Sequence, residues 1–190
     1  MDAFMARWIA QAQDSESGVT ATSGPTTSAL VADFEVLYRR HYRDVYRFAL
    51  GLTRSSDDAS DITAETFERA YRAWSRGAHM PDRPLPWLLL AARRIATDRW
   101  RRARRFAGLL PRGRGRPEDG AGEARTEFWL WFDAVARVLS DRQREVLLLR
   151  YQRDLADADI AHIMGISASG VRSLVTRAIA VLRAHPELLP

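Results

Sequence analysis

DADIAHIMGISASGVRSLVTR, Asp157 to Arg177, is the stretch on which the reading of this 190-residue chain turns. Ile160, Ala161 and Met164 recur at helical spacing, and a second helical pattern follows with Val171, Leu174 and Val175. Between them stands Gly165, the residue type that tolerates the left-handed backbone ending a helix. Ser167 suits the N-cap of the second helix, because its hydroxyl can satisfy a first-turn amide. A helix-turn-helix needs, in order, a small residue at the crossing, a turn glycine and a buried apolar residue, and Ala161, Gly165 and Val171 supply them. An ordinary helical hairpin has the same pattern. The rest of the chain must choose between them.

Upstream, the sequence is helical wherever it is periodic. Leu30, Phe34, Leu37, His41, Val45, Phe48 and Leu52 repeat at steps of three and four, which predicts one long amphipathic helix with a core histidine in its stripe. Ser55-Ser56-Asp57-Asp58 offers caps and acidic first-turn residues for a second helix to about Arg76, with Ala59, Ile62, Phe67, Ala70 and Trp74 inward. On another face, Asp58, Asp61, Glu65 and Glu68 form an acidic stripe. Three prolines predict a loop over Gly77 to Pro86. A third helix begins near Trp87, turns Leu88, Ala91, Ala92 and Ile95 inward, and ends in Arg93, Arg94, Arg99, Arg101, Arg102, Arg104 and Arg105, offset only by Asp98. So many cations repel one another unless an anion lies beside them, and a phosphate backbone is the natural partner. A solvated basic face is the plainer alternative.

Residues 106 to 125 lose all periodicity and read as a linker, as residues 1 to 29 read as a flexible leader with a short helix at Phe4 to Gln13. From Thr126 the helical pattern returns: Phe128, Trp129, Phe132, Val135 and Leu139 in one helix, then Ser140 capping Asp141 to about Tyr151 with Val146, Leu147 and Leu149 apolar. Pro186 stops the last helix. No strand pattern appears. The fold class is all-α, in two helical domains, residues 30 to 105 and 126 to 190.

Composition narrows function further. Net charge is +5, and with no lysine in the chain all 29 basic residues are arginine, suited to forked contacts with phosphates and guanine edges. A GC-rich genome would favour arginine whatever the function. Zero cysteines remove disulfides, thiolate metal sites and cysteine nucleophiles. Trp87 to Ala92, the longest apolar run, is too short to span a bilayer, and Met1 to Ala10 lacks the form of a signal peptide. A cytoplasmic protein without a metal or cofactor is expected.

Three segments in order, FEVLYRRHYRDVYRFALGLT, DASDITAETFERAYRAW and PWLLLAARRIATDRWRR, resemble region two of the extracytoplasmic-function sigma factors of bacterial RNA polymerase. LSDRQREVLLLRYQRDLADADIAHIMGISASGVRSLVTRAIAVLR resembles their region four. The resemblance spans Ala32 to Ala184 apart from the linker. It implies that Asp58, Asp61 and Glu65 dock on the clamp helices of core polymerase. Gly77 to Arg83, including His79, Met80 and Asp82, would take a flipped base of the minus-ten element, and Arg93, Arg94, Arg99, Arg101 and Arg102 would hold the melting duplex. Ser167, Ser169, Arg172, Ser173, Thr176 and Arg177 would face the minus-thirty-five element. The implied partners are core RNA polymerase, promoter DNA and an anti-sigma factor. Departures from the family pattern are Ala64 for a usual glutamine, Arg94 for a frequent asparagine, the weakly basic SLVTRAI, and a linker that begins basic.

Two rival classes remain to be weighed. A stand-alone helix-turn-helix regulator would need a dimerisation stripe, and none is evident. A nuclease built on Asp57, Asp58 and Asp61 would need a histidine or a second acidic cluster close by, and the pattern offers neither.

Overall fold

The heptad-like stripe from Leu30 becomes a 27-residue helix, α1 (Thr27–Thr53), in a computed structural model that describes residues 27–106, 134–135, 137–151 and 155–188. Phe34, Leu37, His41, Val45 and Phe48 are buried along it. α2 (Ser56–Ser75) begins where Ser55 accepts a hydrogen bond from the Asp58 amide, and its predicted inward residues Ala59, Ile62, Phe67, Ala70 and Trp74 are all buried. Thr63 and Thr66 lie inward too, each hydroxyl donating to the carbonyl four residues back, so no buried hydroxyl is left unpaired there. Phe34 meets Phe67, Tyr71 and Trp74 edge-on, with centroids 5.4 to 6.3 Å apart, tying α1 to α2.

α2 stops in a Schellman turn: Gly77 donates to the Trp74 carbonyl and Ala78 to that of Ala73, with Gly77 at φ 87°. The loop beyond is shorter than the prolines suggest. α3 (Pro84–Phe106) takes Pro84 and Pro86 into its first turn, where a missing amide hydrogen loses no intrahelical bond. Leu85, Leu88, Leu89, Ala92 and Ile95 seal the core against α1 and α2.

Residues 1 to 26 of the predicted leader, the linker over 106 to 125 apart from Phe106, and Phe128, Trp129 and Phe132 lie outside the described residues, whereas residues 27 to 29, assigned to the leader from sequence, open α1. Val135 and Leu139 are buried. α4 (Asp141–Arg150) follows under a reciprocal capping box, in which the Ser140 hydroxyl accepts from the Gln143 amide and the Gln143 side chain accepts from the Ser140 amide. α5 (Asp157–Met164) ends as its sequence predicts: Gly165 sits at φ 65°, donating to His162 while Ile166 donates to Ala161. α6 (Ala168–Arg183) opens on the Ser167 cap and meets α5 at 93°. Ala161 is buried at that crossing and Val171 is fully buried, completing a helix-turn-helix. A short 3-10 turn, Pro186–Leu188, packs back on α6. Among the described residues no single helix is long and apolar enough to cross a membrane, and no strand occurs.

Candidate nucleic-acid interface

One face of α6 carries Arg172, Ser173, Thr176 and Arg177 around a shallow depression. All four side chains are exposed because Val171, Ala178 and Leu182 take the opposite face into the core. Arg172 reaches Asp157 at 3.7 Å, and the same carboxylate receives Arg150, so one acid of α5 tethers two arginines. Arg177 folds back, its Nε donating to the Ser173 carbonyl at 3.2 Å. Ser167 is committed to the cap, accepting from the Gly170 amide, with the Ser169 hydroxyl 2.9 Å from its own.

The acidic stripe forms with a complication the sequence hid. Asp58 and Asp61 are exposed and Glu65 is half-buried, but Arg99 of α3 lies across the stripe, 3.1 Å from both Asp61 and Glu65. Glu65 also pairs with Arg69 at 2.6 Å, and Glu68 with Arg72. Partial burial works against the charge on Arg99, yet hydrogen bonds and Coulomb attraction from Asp61 and Glu65 hold its pKa above the ordinary arginine value. Together with Ala64 these residues line a groove between α2 and α3. Arg99, one of the arginines expected to hold DNA, is thus paired with the acids of α2 in this structure.

The remaining arginines divide by environment. Arg94, Arg101 and Arg102 are exposed along α3, with Arg101 4.0 Å from Asp98. Arg104 stacks on Trp100, 4.2 Å from the ring centroid, and that indole is 56% exposed among the cations. Arg93 instead turns toward α4 and binds Glu145, 52 residues away in sequence. In the preceding loop His79 and Asp82 are exposed and Met80 packs on the core, while Arg83 bonds Asp159 of α5 at 2.8 Å. Sequence reasoning missed Trp100, Glu145 and Asp159. Only Trp100, an aromatic inside an arginine run, carried a local signal.

What the surface offers chemically is two cationic faces for polyanions, one on α3 and one on α6, and a groove of mixed charge in which Asp61, Glu65 and Glu68 are paired with Arg69, Arg72 and Arg99. Among the described residues no three or more His, Asp or Glu side chains group as a metal site.

Comparison with known proteins matches residues 37–106 to Sigma-70 region 2 and residues 136–184 to Sigma-70, region 4. SigM of Bacillus subtilis, an ECF RNA polymerase sigma factor, is 30% identical over 78% of this chain and 91% of its own length. SigL of Mycobacterium tuberculosis, likewise an ECF RNA polymerase sigma factor, is 32% identical over 82% of this chain and 90% of its own. In fold, the chain is similar to the sigma factor RpoE of Bartonella quintana, solved with the anti-sigma factor NepR. The TM-score is 0.64 at 23% identity, over 83% of this chain and 97% of that one.

Proposed function

The chain belongs to the ECF sigma factors of RNA polymerase, and from that premise we propose how its own residues divide the work of promoter recognition. Residues 30 to 105 form one working domain and residues 126 to 190 the other. The protein acts in the cytoplasm with core polymerase, selects the promoter and leaves the chemistry of RNA synthesis to the polymerase.

α6 is the upstream reader. Its exposed Arg172, Ser173, Thr176 and Arg177, with Ser167 and Ser169 at the N-terminal end, enter the groove at the minus-thirty-five element. α3 is the downstream holder. Arg93, Arg94, Arg101 and Arg102 contact phosphates, which position the duplex without reading it, and the His79, Met80, Asp82 loop receives the extruded base. Extrusion costs a few kcal/mol of unstacking, so a prepared pocket beside a cationic helix lowers the barrier to opening. Asp58, Asp61 and Glu65 meet basic residues of core polymerase, which must displace or share Arg99. An anti-sigma factor, the partner of the RpoE relative, is the regulator proposed here as well.

The observation that carries this reading is the presence of both sigma-70 regions, in order, on one chain. Run-off transcription with purified core polymerase and a promoter library tests it. Strict dependence of specific transcripts on this protein is expected. Site-specific DNA binding that core polymerase neither needs nor alters would overturn it in favour of a stand-alone regulator.

A further inference from the structure

Acidic residues in the first turn of a helix usually serve its exposed amides and its dipole. α5 starts with two, Asp157 and Asp159, and their roles differ. Asp159 takes the cap, its carboxylate accepting from the Ala156 amide at 3.0 Å. Asp157 turns its two oxygens to arginines of the neighbouring helices. Oδ1 accepts from Arg150 in the last turn of α4, a place where the helix dipole also favours a cation. Oδ2 lies 3.7 Å from Nη1 of Arg172 on α6. The Asp157 side chain is 26% exposed against 65% for Arg172, so the acid is the fixed member of the pair and the arginine the movable one.

We infer that Asp157, held by Arg150, is a positioning residue for upstream selection, aiming the Arg172 fork at a single base. The inference rests on the reading of Arg172 as a base contact. A separation of 3.7 Å exceeds hydrogen-bond length, so Asp157 leaves the donors of the fork unspent while its charge narrows the arc that the long side chain sweeps. An arginine loses rotamer freedom when it grips a base edge, and one already confined loses less. Only the favoured base engages the fork, so that difference falls on one base and emerges as discrimination. On general affinity the carboxylate acts the other way, because an acid beside the DNA face opposes the phosphates of every sequence alike. Losing a positioning acid therefore lowers selectivity at one position without lowering affinity overall. Losing an acid that only braced α4 on α5 would weaken binding to all sequences.

Holoenzyme assembled with each variant and selected on a promoter library randomised over the upstream element separates these cases. Arg172→Ala first locates the base position that Arg172 reads. Asp157→Asn keeps the shape of the side chain and removes its charge. At that same position the preference for the favoured base should fall on the order of two- to tenfold, while mean affinity over the library holds or rises. Adding Asp157→Asn to Arg172→Ala should flatten no position further, since the acid acts through the arginine. Asp159→Asn loosens the start of α5 without touching Arg172, and any loss it causes should be even over all positions. An even loss in Asp157→Asn, or a preference at the Arg172 position left as sharp as in the parent, overturns the positioning role while the base contact stands. If Arg172→Ala itself flattens no single position, the base contact fails and this inference with it.

Discussion

Arg172 is the side chain proposed to carry upstream selectivity, and its setting frames the test. It projects from α6, 3.7 Å from Asp157, a loose pairing that leaves its fork free to reorient. Arg172→Ala should relax selection at one base position of the upstream element, at about 1–3 kcal/mol if the fork grips a base edge. Binding to a randomised promoter library reads this, and a uniform loss over all sequences would assign the residue to phosphate instead. His41 supports a second prediction. It is buried in the α1 stripe with Nδ1 unpartnered, and burial first, then Arg40, pushes its pKa below the ordinary 6.5 against the opposing pull of Asp44. The unfolded chain then binds the extra proton more readily, so stability rises with pH through this range. Denaturant midpoints should fall as pH drops below about 6.5. His41→Leu should flatten that dependence, and an equally steep profile in the variant would assign it elsewhere. The sequence stripe placed His41 in the core correctly, because burial follows periodicity. It could not show the unpaired nitrogen, which depends on what the neighbouring helices fail to offer.

At the scale of elements, what could be read from sequence is what a helix decides locally. Ser55, Ser140, Gly165 and Ser167 are caps and breaks set by their own chemistry, and each sits as its residue type predicts. Pro84 and Pro86 misled for the complementary reason: proline is excluded from a helix interior but welcome in its first turn, and sequence alone does not say which applies. The acidic stripe was legible as a face of α2, while Arg99 lying across it was not, because that contact joins residues 34 and 38 positions apart. The pairing bears on a prediction. Charge reversal, Asp61→Lys with Glu65→Lys, should abolish co-purification with core polymerase, and retained binding would remove α2 as the docking face. Stability should hardly change. The ion pairs lost are largely exposed ones, worth about 0–1 kcal/mol each, so the far-ultraviolet circular dichroism and melting curve should stay near those of the parent.

Across the whole molecule, the two halves meet where α4 packs on α1 and where α5 packs on α3, and the first of these contacts is the less expected. Glu145 and Leu148 look like ordinary positions of a short helix, and nothing within Asp141 to Arg150 announces that both of its faces are covered. The single sequence signal was Gly51, a glycine within a long helix, whose meaning required the partner that fills the space. This arrangement predicts how the protein unfolds. If Leu148 seated on Gly51 couples the domains, heating should melt the free chain in a single calorimetric transition. Truncating a buried leucine costs about 2–5 kcal/mol wherever it packs, so a lower melting temperature alone would not distinguish coupling from ordinary core loss. The shape of the transition does. Leu148→Ala removes the side chain that reaches α1, and its thermogram should resolve into two transitions, one for each domain, as independent units no longer share a boundary. Leu149→Ala, at a neighbouring fully buried position, should lower the melting temperature without that splitting. A single, merely shifted transition in both variants would show that the domains hold together by other contacts than the one centred on Gly51.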